Sequence, residues 1–316
     1  MKIMTDISIV IVNWNTRHIL FDCLKSVYEQ SVDSSLEVIV IDNASSDGSA
    51  EMVKKDFPQI TLIENSENLG FAAANNQGIE ISKGRYVLLL NPDTLILDNA
   101  INKTLYFADA HPESAVVGCR VLNPDRTLQP TCFMFPSILN MLLSTTYLYR
   151  LFPKSRFFGR ERMTWWDRSD IREVDVVTGC FMLVRREAIE QVGLLDERFF
   201  VYGEETDWCY RFKKAGWKVM FTPCAEIIHL GGQSTQKKAT AMVVQLRKSI
   251  LQFMKKHYSP LIYRAACLLT VTFLAVRLPI WSVMAFFQRS ESSEAAIKKR
   301  AYYTGIVNIL FGRIDS

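Results

Sequence analysis

The sequence predicts an α/β fold with a mostly parallel central sheet flanked by helices. Short apolar runs rich in β-branched residues, such as 7–12 and 37–41, alternate with segments of helical periodicity. The runs are apolar throughout, which is typical of strands buried on both faces of a parallel sheet. Strands that alternate with helices in this way form βαβ units with right-handed crossovers.

The elements follow in order along the chain. In the first half, strands are predicted at 7–12, 37–41, 60–64 and 86–90, and helices at 16–30, 49–56 and 71–82. In the second half, strands are predicted at 115–122, 174–184 (two short segments) and 226–228, and helices at 185–192, 207–215 and 245–258. The stretch 124–172 has no clear period and mixes aromatic with basic residues. That mixture fits a nucleic-acid groove, a lid over a sugar or a membrane-facing rim, and does not separate them.

The composition is that of a globular protein with one large or two small domains. The chain has 316 residues, of which 49% are hydrophobic and 22% are charged. Residues 231–316 carry a net charge of +10 and the rest of the chain carries −6. A basic end on an acidic body predicts an anionic partner, either a membrane or a nucleic acid. The seven scattered cysteines contain no Cys-x-x-Cys pair, which favours buried thiols in a reducing compartment.

Polar residues follow three of the predicted strands, at Asn13, Asp42 and Asp93. Pro92 ends the strand before Asp93, because proline cannot continue a ladder of hydrogen bonds. The carboxyl ends of parallel strands meet at one edge, where open α/β sheets bind ligands, and a carboxylate there suits a divalent cation with its phosphates. Taken alone, Asn-Pro-Asp-Thr is equally good turn chemistry, with Asp93 as a helix cap. Three polar strand ends in step favour one ligand that crosses the edge.

Two phosphate-binding motifs are missing from the sequence. It contains neither Gly-x-x-x-x-Gly-Lys-Ser/Thr nor Gly-x-Gly-x-x-Gly. This argues against a kinase, an NTPase and a dinucleotide dehydrogenase, and it leaves a cation at Asp93 as the natural partner for phosphate.

A second group of titratable residues lies in the second half of the chain. Glu204, Glu205 and Asp207 stand at the start of a predicted helix, where acidic residues complement the helix dipole or cap its N-terminus. The alternative is a general base beside a polar pocket. His229 leaves a strand as Asp93 does; it is either a structural histidine or a metal ligand beside a carboxylate.

Several motifs in one order resemble the family-2 inverting glycosyltransferases with the GT-A fold. They are VIVNWN (10–15), IDNASSDG (41–48), NLGFAAANNQG (68–78), LNPD (90–93), TGCFMLVRR (178–186), VGLLDE (192–197), EETDWCYR (204–211) and HLGG (229–232). The combination resembles the rhamnosyltransferase-like branch, which builds bacterial surface polysaccharides. The resemblance covers roughly residues 5–235.

The resemblance implies a role for each matching residue. Glu205 would be the catalytic base, and Asp93 with His229 would hold Mg²⁺ or Mn²⁺. The nucleotide-binding residues would be Val12, Asn13, Asn15, Asp42, Asn68, Asn75, Asn76 and Asp93. The acceptor pocket would be lined or braced by Tyr202, Glu204, Asp207 and Arg211. Three positions depart from the family pattern: Asn91 replaces the first Asp of Asp-x-Asp, Asn75 replaces an Arg, and Glu205 replaces an Asp.

The function implied is transfer of a sugar, rhamnose from dTDP-rhamnose by branch resemblance, to a hydroxyl of a glycan or polyprenyl-linked glycan. The product would have inverted anomeric configuration. The alternative is a non-catalytic protein that binds a nucleotide sugar or acts as a scaffold in a glycan assembly complex. A nucleic-acid partner is not expected, because the apolar segments of the basic tail favour lipid.

Three segments are predicted along the chain: a nucleotide-sugar half at 1–98, an acceptor and catalytic half at 99–235, and a basic helical region at 236–316. The apolar stretch 261–287 contains Arg264, Arg277 and Pro279, and its longest uncharged run is twelve residues, whereas a membrane span needs about twenty. Pro279 predicts a break in this stretch. The pattern as a whole predicts an amphipathic hairpin that lies on the inner face of the cell membrane. The protein would then be cytoplasmic and peripheral to that membrane. The alternative is a helix pair that packs on the catalytic domain or on a second copy of the chain.

Overall fold

The computed structural model describes residues 5–31, 35–231, 239–288 and 294–312. Its strands are β1 (Ile7–Asn13), β2 (Leu36–Asp42), β3 (Thr61–Glu64), β4 (Tyr86–Leu90), β5 (Thr94–Ile96), β6 (Ser114–Leu122), β7 (Cys132–Phe133), β8 (Arg172–Glu173), β9 (Val176–Val177), β10 (Phe181–Arg185) and β11 (Lys218–His229). Its helices are α1 (Arg17–Glu29), α2 (Ser49–Asp56), α3 (Phe71–Ile81), α4 (Ala100–Ala110), α5 (Ile138–Thr146), α6 (Leu148–Leu151), α7 (Arg186–Val192), α8 (Glu204–Lys214), α9 (Ala239–His257), α10 (Pro260–Gln288) and α11 (Glu294–Leu310).

The central sheet has the order β3-β2-β1-β4-β10-β6-β11-β5, with β8 attached to β11. The first four strands are parallel, and β6 is parallel to β11. β10 runs antiparallel between β4 and β6, and β5 antiparallel to β11. The prediction of a mostly parallel sheet flanked by helices is therefore confirmed, and the carboxyl ends of β1, β2, β4 and β11 share one edge.

The sheet is buried on both faces, as its unbroken apolar strands predict. In β1, Ile9 and Ile11 belong to a core cluster with Leu20 of α1. Val10, which points to the opposite face, belongs to a second cluster with Ala74 of α3. All five of these side chains are fully buried. Helices therefore cover both faces of the sheet.

Gly118 of β6 packs directly under Val177, and we expect Gly118→Ala to lower the free energy of unfolding by about 1–3 kcal/mol. A Cβ at this position would lie 2.4 Å from Val177 Cγ1, closer than carbon atoms can approach. Urea unfolding measures the loss. In a Val177→Ala background the same substitution should cost much less, because the obstructing methyl groups are gone; equal costs in the two backgrounds would contradict the packing argument.

Several elements differ from the sequence-based prediction: β5 and α4 were not predicted, and β11 begins at Lys218, eight residues before the predicted strand at 226–228. α8 begins at Glu204, three residues before the predicted start, so that all three carboxylates lie in its first turn. The stretch 124–172 contains β7, α5 and α6. α5 begins where the Ser137 side chain accepts a hydrogen bond from Asn140 N, and it buries Met141 and Leu143.

The chain divides into two compact units. The first comprises Met1–Phe135, Arg162–Phe200 and Glu204–Ser234, and the second comprises Pro136–Glu161, Val201–Gly203 and Thr235–Ser316. The division into segments 1–98, 99–235 and 236–316 stays a prediction, and its last boundary lies outside the described residues, as does Gly232 of the HLGG motif.

The helical C-terminal extension is confirmed, but the predicted break at Pro279 is wrong. α10 continues through Pro279 for 29 residues, long and apolar enough to cross a membrane by length and composition alone. Phe273 and Leu274 before the proline, and Leu278 and Trp281 around it, pack in one cluster with Tyr302 of α11. Contacts on both sides of the proline hold the two halves of the helix in line, which outweighs the hydrogen bond that proline removes.

Candidate active site

The ends of β1 and β2 form the first part of the site. Asn13 and Asp42 are paired in register, and Asn13 Nδ2 donates to Asp42 Oδ1 at 2.8 Å. Ser45 N donates to Asp42 Oδ2 at 2.9 Å, and Ser45 Oγ accepts from both Asn13 Nδ2 and Asn15 N. Asn13 and Asp42 are buried. The structure thus brings the predicted residues Asn13, Asn15 and Asp42 together, beside the half-buried Val12, and joins them through Ser45.

A network of side-chain amides continues from this edge. Asn43 Nδ2 donates to Asn68 Oδ1 at 3.1 Å and to Gly70 O at 3.1 Å. Asn65 Nδ2 donates to Asn43 Oδ1 at 2.9 Å and to Gln77 Oε1 at 3.0 Å. Asn68 is therefore tied to Asn43 at the end of β2, and its contact with a nucleotide stays a prediction. Asn43 is the hub of this network, and its position directly after Asp42 was the sequence signal for it.

The two predicted asparagines of α3 are engaged with protein groups. Asn75 Nδ2 donates to Phe71 O at 2.8 Å, one turn earlier in the helix. Asn76 Nδ2 donates to Leu195 O at 2.9 Å and to Glu197 Oε1 at 2.9 Å, while Leu195 N donates to Asn76 Oδ1 at 3.1 Å. Asn76 therefore fastens α3 to the turn after α7, and contact of either asparagine with a nucleotide stays a prediction.

The start of α3 also contacts the segment that precedes α8. Phe71 N donates to Phe200 O at 2.8 Å. Gly70 has a φ of +84°, and a Cβ there would lie 2.6 Å from Phe200 O, so only glycine fits. This contact holds Phe200, four residues before Glu204, at the start of α3.

The carboxylates of α8 have different surroundings. Asp207 is fully buried and accepts from Arg211 Nε at 2.8 Å, and the other two nitrogens of Arg211 donate to Val192 O and Leu194 O at 3.0 and 2.7 Å. Asp207 and Arg211 thus brace α8 on the turn after α7. Glu204 is buried, whereas Glu205 is half-buried in the first helical turn, where the helix dipole favours a carboxylate.

Tyr202 belongs to the second unit, where it is half-buried with a φ of 65°. Its predicted contact with the acceptor, like that of Glu204, Asp207 and Arg211, stays a prediction.

The candidate metal site lies at the ends of β4 and β11. His229 Nε2 is 3.1 Å from Asp93 Oδ1, and both side chains are mostly buried. Asn91 Nδ2 lies 3.3 Å from the same ring nitrogen, and the other ring nitrogen, Nδ1, is 2.6 Å from Gln129 Oε1. The structure therefore brings Asp93 and His229 together, as predicted, and adds Gln129 as a partner that the sequence analysis did not find.

These residues fit a divalent cation of the Mn²⁺ type. A carboxylate oxygen and an imidazole nitrogen are acceptable Mn²⁺ ligands, and a histidine ligand ordinarily has its second nitrogen hydrogen-bonded to an oxygen, as His229 has. Within the described ranges there is no group of three or more His, Cys, Asp or Glu side chains that could hold a metal ion. The protein would thus supply two ligands and leave the remaining positions to phosphate oxygens and water.

Two buried cysteines lie beneath this edge. Burial raises the pKa of the Cys23 thiol to about 12 and that of Cys180 to about 11, and nearby Asp93 adds to both shifts. Both shifts keep the thiols protonated near neutral pH, which argues against a nucleophilic role for either cysteine. All seven cysteines are free, in agreement with the prediction of thiols without disulfides.

Gln129 follows a turn whose first three residues repeat the Asn-Pro-Asp sequence of the candidate metal site. Asn123-Pro124-Asp125 comes directly after the apolar strand β6, as Asn91-Pro92-Asp93 comes after β4. The repeated tripeptide was the available signal that a second loop reaches the same edge.

Comparisons with known proteins agree with this geometry. A protein-family model described as glycosyl transferase family 2 matches residues 8–193, more than half of the chain. The N-acetylglucosaminyl-diphospho-decaprenol L-rhamnosyltransferase of Mycobacterium tuberculosis is 28% identical over 240 residues, which cover 72% of this chain and 78% of that protein. The low-salt glycan biosynthesis hexosyltransferase Agl10 of Haloferax volcanii is 27% identical over 230 residues, which cover 72% of this chain and 67% of Agl10.

Solved structures show the same fold. The mannosyltransferase PcManGT from Pyrobaculum calidifontis, in complex with GDP-Man and Mn²⁺, has a TM-score of 0.58 at 16% identity and covers 99% of this chain and 90% of its own. GalNAc-T7, with UDP, GalNAc and Mn²⁺, has a TM-score of 0.53 at 16% identity over 72% of this chain, which spans 43% of that protein. The GT-A fold that the motifs implied is confirmed, and the chain belongs to glycosyl transferase family 2.

Proposed function

We propose that the protein is a metal-dependent, inverting glycosyltransferase that uses a nucleotide diphosphate sugar. The proposal depends on one observation: Asp93 is paired with His229 at the same sheet edge at which β1 and β2 end in Asn13 and Asp42. A nucleoside at Asp42 and a diphosphate at Asp93 would lie along one edge, which is the arrangement that a nucleotide sugar requires.

The residues divide the chemistry between them. Asp93 and His229 would hold Mg²⁺ or Mn²⁺, which when bound supplies Lewis-acid neutralisation of charge on the diphosphate leaving group. Glu205 takes the proton from the acceptor hydroxyl, whose oxygen forms a bond to the anomeric carbon as the bond from that carbon to the diphosphate breaks. Attack from the face opposite the leaving group inverts the anomeric centre. Asp207 and Arg211 act indirectly, by holding α8 and hence Glu205 in place.

Rhamnose from dTDP-rhamnose is the proposed donor, and a polyprenyl-linked glycan the proposed acceptor. Support comes from the name of the mycobacterial relative, which transfers L-rhamnose to a decaprenol-linked N-acetylglucosamine. Calorimetry with dTDP, UDP and GDP, each with and without Mn²⁺, tests the donor. Metal-dependent binding of dTDP alone would support rhamnose; binding of UDP or GDP alone would overturn it. No binding of any nucleotide to the folded protein would favour the scaffold alternative.

We also propose that the second unit docks on an anionic membrane surface, at the inner face of the cell membrane. Its exposed apolar side chains occur in α6 and the loop after it, at Leu151 and Phe152, and along α10, at Leu261, Phe286 and Phe287; each is at least half exposed. The same unit carries the basic end of the chain, whose net charge over 231–316 is +10. Apolar side chains next to cations fit a lipid interface.

An interfacial position is favoured over a span because α10 contains two arginines. Arg277 Nη2 donates to Thr145 O at 2.8 Å, and the guanidinium lies 3.9 Å from the centre of the Phe273 ring, so α10 is fixed to α5 within the unit. A helix fixed in this way presents an apolar side to lipid without leaving the protein.

Co-sedimentation with vesicles tests the membrane proposal. We expect binding to phosphatidylglycerol vesicles, weaker binding to phosphatidylcholine, and release by high salt or alkaline carbonate. Phe286→Ser should weaken binding at least several-fold, whereas Tyr106→Ser, which changes an exposed aromatic of the first unit, should not. Resistance to carbonate would indicate a membrane span, and equal binding by both variants would contradict the proposed surface.

A further inference from the structure

The orientation of the Gln129 side chain is fixed by three hydrogen bonds. Gln129 Nε2 donates to Asn123 Oδ1 at 2.8 Å and to the backbone oxygen of His229 at 3.1 Å. Both partners are oxygens that can only accept, so the NH₂ end of the amide must face them. The oxygen end, Oε1, therefore faces His229 Nδ1 at 2.6 Å.

This orientation determines the tautomer of His229. An amide oxygen can only accept, so the hydrogen atom between the two side chains belongs to Nδ1. In the neutral ring Nε2 then carries a lone pair and no hydrogen. Asn91 Nδ2, a donor 3.3 Å away, suits a bare Nε2. Asp93 Oδ1 at 3.1 Å is a second electron-rich atom beside it, and the two atoms repel each other unless a cation, either a proton or a metal ion, lies between them.

We propose that Gln129 is a positioning residue that holds His229 in the Nδ1–H tautomer, so that Nε2 and the Asp93 carboxylate together face a divalent cation. The inference rests on the metal site of the proposed function. It assigns a task to a residue outside the recognised motifs, because a ring with its proton on Nε2 would direct a hydrogen atom at the cation and could not bind it.

The turn before Gln129 supports the same arrangement. Asn123 Nδ2 donates to Thr127 Oγ1 at 2.9 Å, and Asn123 N donates to Thr127 O at 2.8 Å. These bonds orient Asn123 Oδ1 toward Gln129. Gly231 has a φ of 68°, and a Cβ there would lie 3.7 Å from Gln129 Nε2, which is ordinary van der Waals contact. The amide is thus held from both sides by backbone-anchored groups.

Nitrogen-15 NMR of the histidine rings in metal-free protein tests the tautomer. The chain has four histidines, and His111 is an internal reference, because its Nδ1 lies 2.8 Å from the backbone oxygen of Phe107 and must also carry hydrogen. At about pH 8, where an ordinary histidine is neutral, wild type should show the Nδ1–H tautomer for both His111 and His229. Gln129→Met, which removes the acceptor, should shift His229 toward the Nε2–H tautomer and leave His111 unchanged.

Gln129→Glu keeps an oxygen that can accept from Nδ1 but loses the NH₂ group that donates to Asn123 Oδ1 and His229 O; where it folds, it should retain the wild-type tautomer. Thermal unfolding identifies any variant that does not fold. A neutral His229 ring with its hydrogen on Nε2 and none on Nδ1 in the wild type, or an unchanged tautomer in a folded Gln129→Met, would overturn the proposal.

Mn²⁺ affinity provides the second readout, measured by the EPR signal of the free ion in the presence of a nucleotide diphosphate. Gln129→Met should bind Mn²⁺ about 10–100-fold more weakly, the usual effect of removing a hydrogen-bond partner of a metal-bound histidine. Unchanged affinity would overturn the role of Gln129. If the wild type shows the expected tautomer and yet binds no Mn²⁺, the metal site of the proposed function fails, and the tautomer assignment stands without it.

Discussion

Glu205→Gln is expected to lower kcat for sugar transfer by about 10²–10⁴-fold while nucleotide diphosphate affinity stays the same. The amide keeps the size of the side chain in the first turn of α8 but cannot accept the proton of the acceptor hydroxyl. In the proposed function the donor phosphates lie at Asp93 and His229 and not at Glu205, so their affinity should not change. Release of nucleotide diphosphate in the presence of acceptor measures kcat, and calorimetry measures affinity.

Two variants separate the base from other effects of the substitution. Glu187→Gln removes a carboxylate from the first turn of α7 and should leave activity near the wild-type value. Glu205→Asp restores a carboxylate of the kind that the family pattern has at this position, so it should recover much of the activity lost in Glu205→Gln. Full activity of Glu205→Gln would remove Glu205 as the base, and absence of transfer by wild type with every donor would favour a scaffold protein.

The residues at this edge of the sheet were predictable because a polar residue or a proline ends each apolar strand. The apolar runs of β1, β2 and β4 stop at Asn13, Asp42 and Asn91-Pro92. Because both faces of these strands are buried, the polar residues lie at the carboxyl edge of the sheet. The contact between Asn13 and Asp42 then follows from the parallel register alone.

Contacts between segments that are far apart in the sequence could not be predicted from the pattern of each segment alone. β10 enters the sheet antiparallel between β4 and β6, and nothing in the period of Phe181–Arg185 specifies those neighbours. The same holds for Asn76, whose partners Leu195 and Glu197 lie more than a hundred residues away. Gln129 was missed for this reason too, since its task arises only when β11 brings His229 beside it.

In α10 tertiary packing outweighed the local rule that a proline ends or kinks a helix. A proline in a helix removes one hydrogen bond and predicts a break, at a cost of about 3 kcal/mol. In α10 that cost is offset by burial of Phe273, Leu274 and Tyr302 in one cluster that includes Leu278 and Trp281. Such compensation is visible only when the partner helices are known.

Asp93→Ala is expected to abolish the part of nucleotide diphosphate binding that depends on Mn²⁺. In the proposed metal site Asp93 is one of two protein ligands, so its removal would leave His229 alone to hold the cation, and the phosphates would lose the charge that attracts them. In calorimetry, the variant with Mn²⁺ should bind no more tightly than wild type with EDTA. The backbone oxygen of Asp93, which accepts from Leu230 N, is unaffected, so the fold should remain intact.

Charge and packing can be separated at this position. Asp93→Asn keeps the shape of the side chain but loses its charge, and it should lose Mn²⁺ dependence almost as fully as alanine, because a hard cation requires the anionic oxygen. Asp98→Ala, which removes an exposed carboxylate five residues further along the same segment, should bind as wild type does. If instead Asp93→Asn retains Mn²⁺-dependent binding, the side chain serves as a turn residue, which is the alternative that the Asn-Pro-Asp-Thr sequence left open; the nucleotide edge would then bind its phosphates without a metal at Asp93.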